Sequence, residues 1–133
     1  MSKKADKPVF LKPPGLVKGD RVGIFVPSSP VKEPFRERGL AKIREIGFEP
    51  VEVKDILARH DFLAKEPGAG FSDFQEFFND KSIKALWAAR GGYGANHLLP
   101  YLAKLEIAHL PIVIGSSDVS YLLWYLLDRF RLV

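Results

Sequence analysis

The residues best suited to chemistry are the serines of Gly115-Ser116-Ser117-Asp118, where a short apolar run, Ile112-Val113-Ile114, gives way to a helical pattern. A strand that turns abruptly through Gly-Ser-Ser into a helix resembles a nucleophile elbow, which holds a serine hydroxyl out at the start of the helix. Ser117 is then the candidate nucleophile, with the backbone N–H of Asp118 free to stabilise an oxyanion. Val119 departs from the hydrolase pattern, which places a second glycine there. On spacing alone the plainer reading is the stronger one: Ser116, Ser117 or Asp118 simply caps the helix.

A second candidate is Arg90-Gly91-Gly92-Tyr93-Gly94, a glycine-rich turn after another apolar run. It lacks the glycine spacing and lysine of a P-loop and the full dinucleotide fingerprint. Its backbone N–H groups could serve an anion or oxyanion, with Arg90 as a carboxylate fork, or it is a tight structural turn. Pro27-Ser28-Ser29-Pro30 reads as an ordinary turn. A serine nucleophile needs a base. His109 precedes the strand that carries Ser117 and belongs at the opposite edge of the sheet, and His97 falls on a helix surface. His60, beside Asp61, is the only positional candidate, so the base is expected to lie outside this chain. No His, Asp or Glu group has metal-ligand spacing, and neither a metal nor a cofactor is expected.

The elements that must position these segments follow from periodicity. Residues 21–26, 48–53, 83–89 and 112–114 read as strands. Helices are expected from Pro34 to Gly47, around Phe74, Phe77 and Phe78, around Leu98, Leu99 and Leu102, and from about Asp118 onward. Pro67-Gly68-Ala69-Gly70 reads as a loop, and Ser72 with Gln75 has the form of a capping box. Alternating strands and helices imply an α/β, Rossmann-like (flavodoxin-like) parallel sheet with helices on both faces. All three candidate segments then sit beyond the carboxyl ends of strands, where open parallel sheets bind ligands. The division is a lead-in over residues 1–19 and a domain over residues 20–133. The last helix is apolar on nearly every side, from Val119 to Leu127, and calls for partners all round. That points to a truncated domain or to a homodimer.

The 133 residues are 47% hydrophobic and 27% charged, a globular composition of one domain. The net charge of +4 is partly a lysine-rich start (Lys3, Lys4, Lys7, Lys12) without the clustering that nucleic acid demands. There is no cysteine for a disulfide or thiolate site. No secretory signal is visible at the start, and no apolar run is long enough for a membrane span. The default expectation is a cytoplasmic protein.

The run Ala88-Ala89-Arg90-Gly91-Gly92-Tyr93-Gly94-Ala95, followed by Leu98-Leu99-Pro100-Tyr101-Leu102, resembles the signature of the serine LD-carboxypeptidases, which include muramoyltetrapeptide carboxypeptidases and microcin-immunity peptidases. Ile114 to Ser120 is similar to that family's Gly-x-Ser-Asp nucleophile motif, and Leu16 to Pro30 to its first strand and loop. The match covers the first half of a family member. The resemblance implies a Ser-Glu-His triad in which this chain gives only Ser117, and an absent carboxy-terminal domain gives Glu and His. It implies oxyanion N–H groups from Asp118 and from Gly91 or Gly92, with Arg90 and Tyr93 lining the pocket. It also implies a murein peptide substrate and release of a terminal D-amino acid during cell-wall recycling. Residues 68–75 depart from the family's more polar, Arg-containing segment, which bears on substrate preference. The rival from another class is a non-catalytic sugar- or nucleotide-binding module built on the glycine-rich turn.

Overall fold

The computed structural model describes residues 9–133, so Lys3, Lys4 and Lys7 lie outside the described residues. Four strands form one parallel sheet: β1 (Arg21–Phe25), β2 (Glu49–Glu52), β3 (Ile83–Ala88) and β4 (Ile112–Ile114), in the order β2-β1-β3-β4. The chain leaves β1 for one neighbour and later returns to the other side. The gap between β1 and β3 is therefore the topological switch point, where α/β sheets of this order open a crevice.

Helices cover both faces. Helix α1 (Glu33–Glu45) takes Pro34 in its first turn and is followed by Gly47 at φ +100°, the left-handed stop that glycine adopts without strain. It buries Leu40 and Ile43 on the face to which Ile24 points. On the opposite face, helix α2 (Pro67–Asn79) sets Phe74 against Phe25, with ring centroids 5.2 Å apart. Gly23 is the residue that lets α2 approach, since a Cβ there would lie 2.8 Å from the Phe77 ring. Val22, Phe74, Phe78, Ile83 and Leu86 are fully buried and form the centre of the core.

Two local expectations are corrected. Pro67-Gly68-Ala69-Gly70 is not a loop but the first turn of α2: Pro67 supplies a helical φ, and the Glu66 carboxylate accepts the Ala69 N–H at 3.1 Å. The Ser72 and Gln75 side chains form no capping box. Ser72 lies inside the helix and its hydroxyl donates to the Gly68 carbonyl at 3.1 Å, while Gln75 reaches Glu106.

After β3 the chain makes a 3₁₀ turn (Ala95–Leu98) and the short helix α3 (Leu99–Leu102), then returns through β4. A second 3₁₀ turn (Ser117–Val119) leads into helix α4 (Ser120–Phe130). Helix α4 buries Val119 (just ahead of it), Leu122 and Leu126 along one stripe, while Tyr121 and Trp124 stand 51% and 71% exposed. Residues of the lead-in join the domain: Leu11 pairs with Leu132, its N–H donating to the Arg131 carbonyl at 2.7 Å. No helix among the described residues is long and apolar enough to cross a membrane.

Candidate active site

Ser117 occupies the junction between β4 and α4 with φ +55°, the left-handed region, and its side chain is exposed. A non-glycine residue there is strained by about 1–2 kcal/mol. Such a conformation persists only where the surroundings over-determine it. Two neighbours do so. A Cβ on Gly115 would fall 2.3 Å from Val119 Cγ1, so the strand ends tight against the first turn beyond the elbow. The small residue that the elbow requires is Gly115, and it leaves room for the fully buried Val119. The missing second glycine is thereby accounted for.

The other neighbour is the glycine-rich turn. A Cβ on Gly91 would lie 3.2 Å from Ser117 Cβ, 3.2 Å from the Ser116 carbonyl oxygen and 3.4 Å from Asp118 N. Backbone of the turn is thus pressed directly onto the elbow. Gly92 takes φ +107°, and a Cβ on it would come within 2.2 Å of Ser29 Oγ. Arg90 is exposed and one of its guanidinium nitrogens donates to the Pro30 carbonyl at 3.1 Å. Tyr93 is half-exposed, its ring 5.4 Å from that of Phe62 and its hydroxyl 3.2 Å from His97 Nε2.

The helix-cap alternative fails on geometry. No side chain caps either the 3₁₀ turn at Ser117 or α4. The Asp118 carboxylate points elsewhere: Oδ2 accepts the Ser28 hydroxyl at 2.6 Å and the Ala95 N–H at 2.8 Å. The structure also overturns the reading of Pro27-Ser28-Ser29-Pro30 as an ordinary turn. Ser28 is 1% exposed and tied to Asp118, and Ser29 Oγ accepts the Tyr93 N–H at 3.0 Å. The signal was two adjacent hydroxyls at the carboxyl end of β1, on the switch point, where a bare turn has no need of them.

No histidine is joined to Ser117 by a hydrogen bond among the described residues. His109 packs at the amino-terminal end of β3, its ring nitrogens 2.9 Å and 2.7 Å from the Phe78 and Ile83 carbonyl oxygens. His97 meets Tyr93, and His60 is exposed in the loop after β2, paired through its backbone with Leu63. No three His, Asp or Glu side chains gather as a metal site among the described residues. Marked pKa displacements lie away from the site. Hydrogen bonds to Glu52, and then Glu33, hold the Arg36 guanidinium above its ordinary value, and hydrogen bonds from Ser82 hold Asp80 below the usual carboxylate value.

An open groove of about 510 Å³ begins at Ser117 and runs along α4, floored by Leu99, Tyr121, Trp124 and Tyr125. Another of about 540 Å³ lies between α1 and the sheet, but its walls carry no nucleophile.

Fold and site together define a flavodoxin-like parallel domain that presents a strained serine, at a strand–helix elbow, to a glycine-rich turn. The chain belongs to the LD-carboxypeptidase N-terminal domain family, whose model matches residues 22–133. It is 31% identical over 112 residues to a probable murein peptide carboxypeptidase of Bacillus subtilis, an alignment covering 84% of this chain and 35% of that protein. It is 32% identical over 105 residues to a murein tetrapeptide carboxypeptidase of Pseudomonas aeruginosa, covering 77% of this chain and 34% of the relative. Among solved structures it is similar to the microcin C7 self immunity protein MccF in an inactive mutant apo state. That likeness has a TM-score of 0.80 and 27% identity over 92% of this chain and 37% of MccF. The chain spans about a third of the length of the curated relatives it matches.

Proposed function

We propose that this chain is the nucleophile-bearing part of a serine-type LD-carboxypeptidase acting on murein tetrapeptides in the cytoplasm. The observation that carries the reading is Ser117: exposed, held at φ +55° on the β4–α4 elbow, with Gly91 packed against it. A relaxed capping serine would have favoured the sugar- or nucleotide-binding module instead.

Ser117 Oγ attacks the carbonyl carbon of the bond between an L-centre and a terminal D-amino acid, and its proton passes to a base. The oxyanion is stabilised by the Asp118 N–H and an N–H of Gly91 or Gly92. Collapse breaks the C–N bond, the D-amino acid leaves with the proton, and water then hydrolyses the seryl ester. In this reading Arg90 and Tyr93 line the substrate pocket, a guanidinium suiting the substrate's terminal carboxylate. The base and the carboxylate that orients it are a His and a Glu from a further domain of the protein. Accordingly this chain alone should not turn over. Members of a triad act as a unit, and losing the base costs nearly as much as losing the nucleophile, on the order of a millionfold.

The test is D-alanine release from a murein tetrapeptide by this chain, by the full-length protein and by the full-length Ser117→Ala variant. Release by the full-length protein alone is expected. Robust turnover by the isolated chain would place a base such as His60 within it. A second reading, cleavage of a microcin-type peptide, is favoured by the likeness to MccF. Competition between a murein tetrapeptide and an aminoacyl sulfamoyl nucleoside for the same enzyme separates the two.

A further inference from the structure

We propose that the Asp118 side chain is a positioning residue that holds the serine elbow in register with the two neighbouring loops. The proposal rests on Ser117 being the nucleophile. Three loops meet at the carboxyl edge of the sheet, following β1, β3 and β4. The ladders space the strand ends, and Ser29 joins the first two loops through Gly91 and Tyr93. Asp118 Oδ2 ties both of them to the third. It accepts the Ser28 hydroxyl of the first loop at 2.6 Å and the Ala95 N–H of the second at 2.8 Å, while its own backbone belongs to the third.

Both donors are out of water: Ser28 is 1% exposed and Ala95 fully buried. Each would be orphaned without this oxygen, so the bonds are kept rather than exchanged with solvent. Ala95 opens the 3₁₀ turn after the glycine-rich segment, so the carboxylate caps that turn from across the site. Gly91 lies only four residues upstream, and its backbone is the part pressed onto Ser117 and Asp118. Asp118 is therefore tied to the two loops that neighbour the elbow. It also explains how a strained serine is kept strained.

Convergence of both bonds on one oxygen makes the test specific. An asparagine amide oxygen can accept the same two donors, whereas alanine can accept neither. In the full-length protein, Asp118→Ala should lower kcat about a hundredfold, the usual scale for a misplacement near 1 Å, with KM little changed. Asp118→Asn should recover kcat to within about tenfold of wild type. Amide hydrogen exchange reads the tie without any turnover: the Ala95 N–H should lose protection in Asp118→Ala and keep it in Asp118→Asn. If Asp118→Ala does not fold, Ser28→Ala removes one bond only and should still lower kcat with Ala95 protected.

Wild-type kcat in Asp118→Ala or Ser28→Ala overturns the proposal, as does unchanged Ala95 exchange in Asp118→Ala. An Asp118→Asn variant as impaired as Asp118→Ala also overturns it, because charge rather than position would then matter. Full activity in Ser117→Ala would instead remove the nucleophile reading, leaving the exchange data to judge the tie.

Discussion

Replacing Ser117 by glycine should make the protein more stable while abolishing the activity proposed for it. Ser117 sits at φ +55° on the exposed side of the elbow, so its side chain contributes no burial to lose. The left-handed conformation costs a non-glycine residue about 1–2 kcal/mol, and glycine almost none. Against that relief stands the extra freedom of glycine in the unfolded chain, about 0.5–1 kcal/mol. The net expectation is a gain of about 0.5–1 kcal/mol, which for a domain of this size raises Tm by roughly 2–6 °C. Ser117→Ala is the control, since its Cβ keeps the strain while the hydroxyl is lost. Thermal unfolding followed by circular dichroism, at matched concentration and pH, orders the three proteins. The account predicts glycine above both serine and alanine, with those two close together. Glycine at or below alanine would show that the elbow stores no strain and would remove the main physical argument for a poised serine.

The packing at the elbow makes a paired prediction: Gly115→Ala should destabilise by about 1–3 kcal/mol through the clash with Val119, and Val119→Ala in the same protein should restore part of the loss. Equilibrium unfolding in guanidinium checks both, and an unaffected Gly115→Ala single variant would contradict the close approach. For acid stability, Asp80 is held below the ordinary carboxylate value by hydrogen bonds from Ser82, so its contribution is present at neutral pH and is lost as pH falls through its lowered folded value. Asp80→Asn should therefore flatten the acid limb of a stability–pH curve, modestly because Asp80 is exposed, and leave the curve above pH 6 parallel to wild type. Trp124, 71% exposed on α4, should drive self-association of the isolated chain. Light scattering on Trp124→Ser should then show a smaller average mass at high concentration, and a wild-type chain already monomeric would argue against that role.

The sheet was legible because its strands are short, apolar and separated by strong breaks. Ile112-Val113-Ile114 and the segment around Leu86 needed no tertiary information, and Gly47 marked the end of α1. The elbow was visible as a spacing but not separable from a helix cap. What separates them is the sign of φ at Ser117 and the partner chosen by Asp118, both set by contacts across the sheet. Ser28 and Ser29 were missed for the same reason: their partners, Asp118 and Tyr93, lie 90 and 64 residues away along the chain. Local rules also misjudged residues 67–70, where glycines that look like loop residues sit in a helix. Gly70 suits that position, because a Cβ would come tight against the Leu98 side chain at 3.3 Å. Helix α4 looked apolar on nearly every side, yet Leu122 and Leu126 alone are fully buried along it, while Tyr121, Trp124 and Tyr125 border the groove that starts at Ser117.

The most direct test of the central claim is to trap the seryl ester. The full-length protein, mixed with a murein tetrapeptide and quenched in acid within milliseconds, is digested and mapped by mass spectrometry. The account predicts that the peptide containing Ser117 gains the mass of the substrate less that of the departing free D-amino acid. Fragmentation should place that mass on Ser117 rather than Ser116. Turnover that leaves Ser117 unlabelled under these conditions, together with a Ser117→Ala variant that still releases D-alanine, would contradict it.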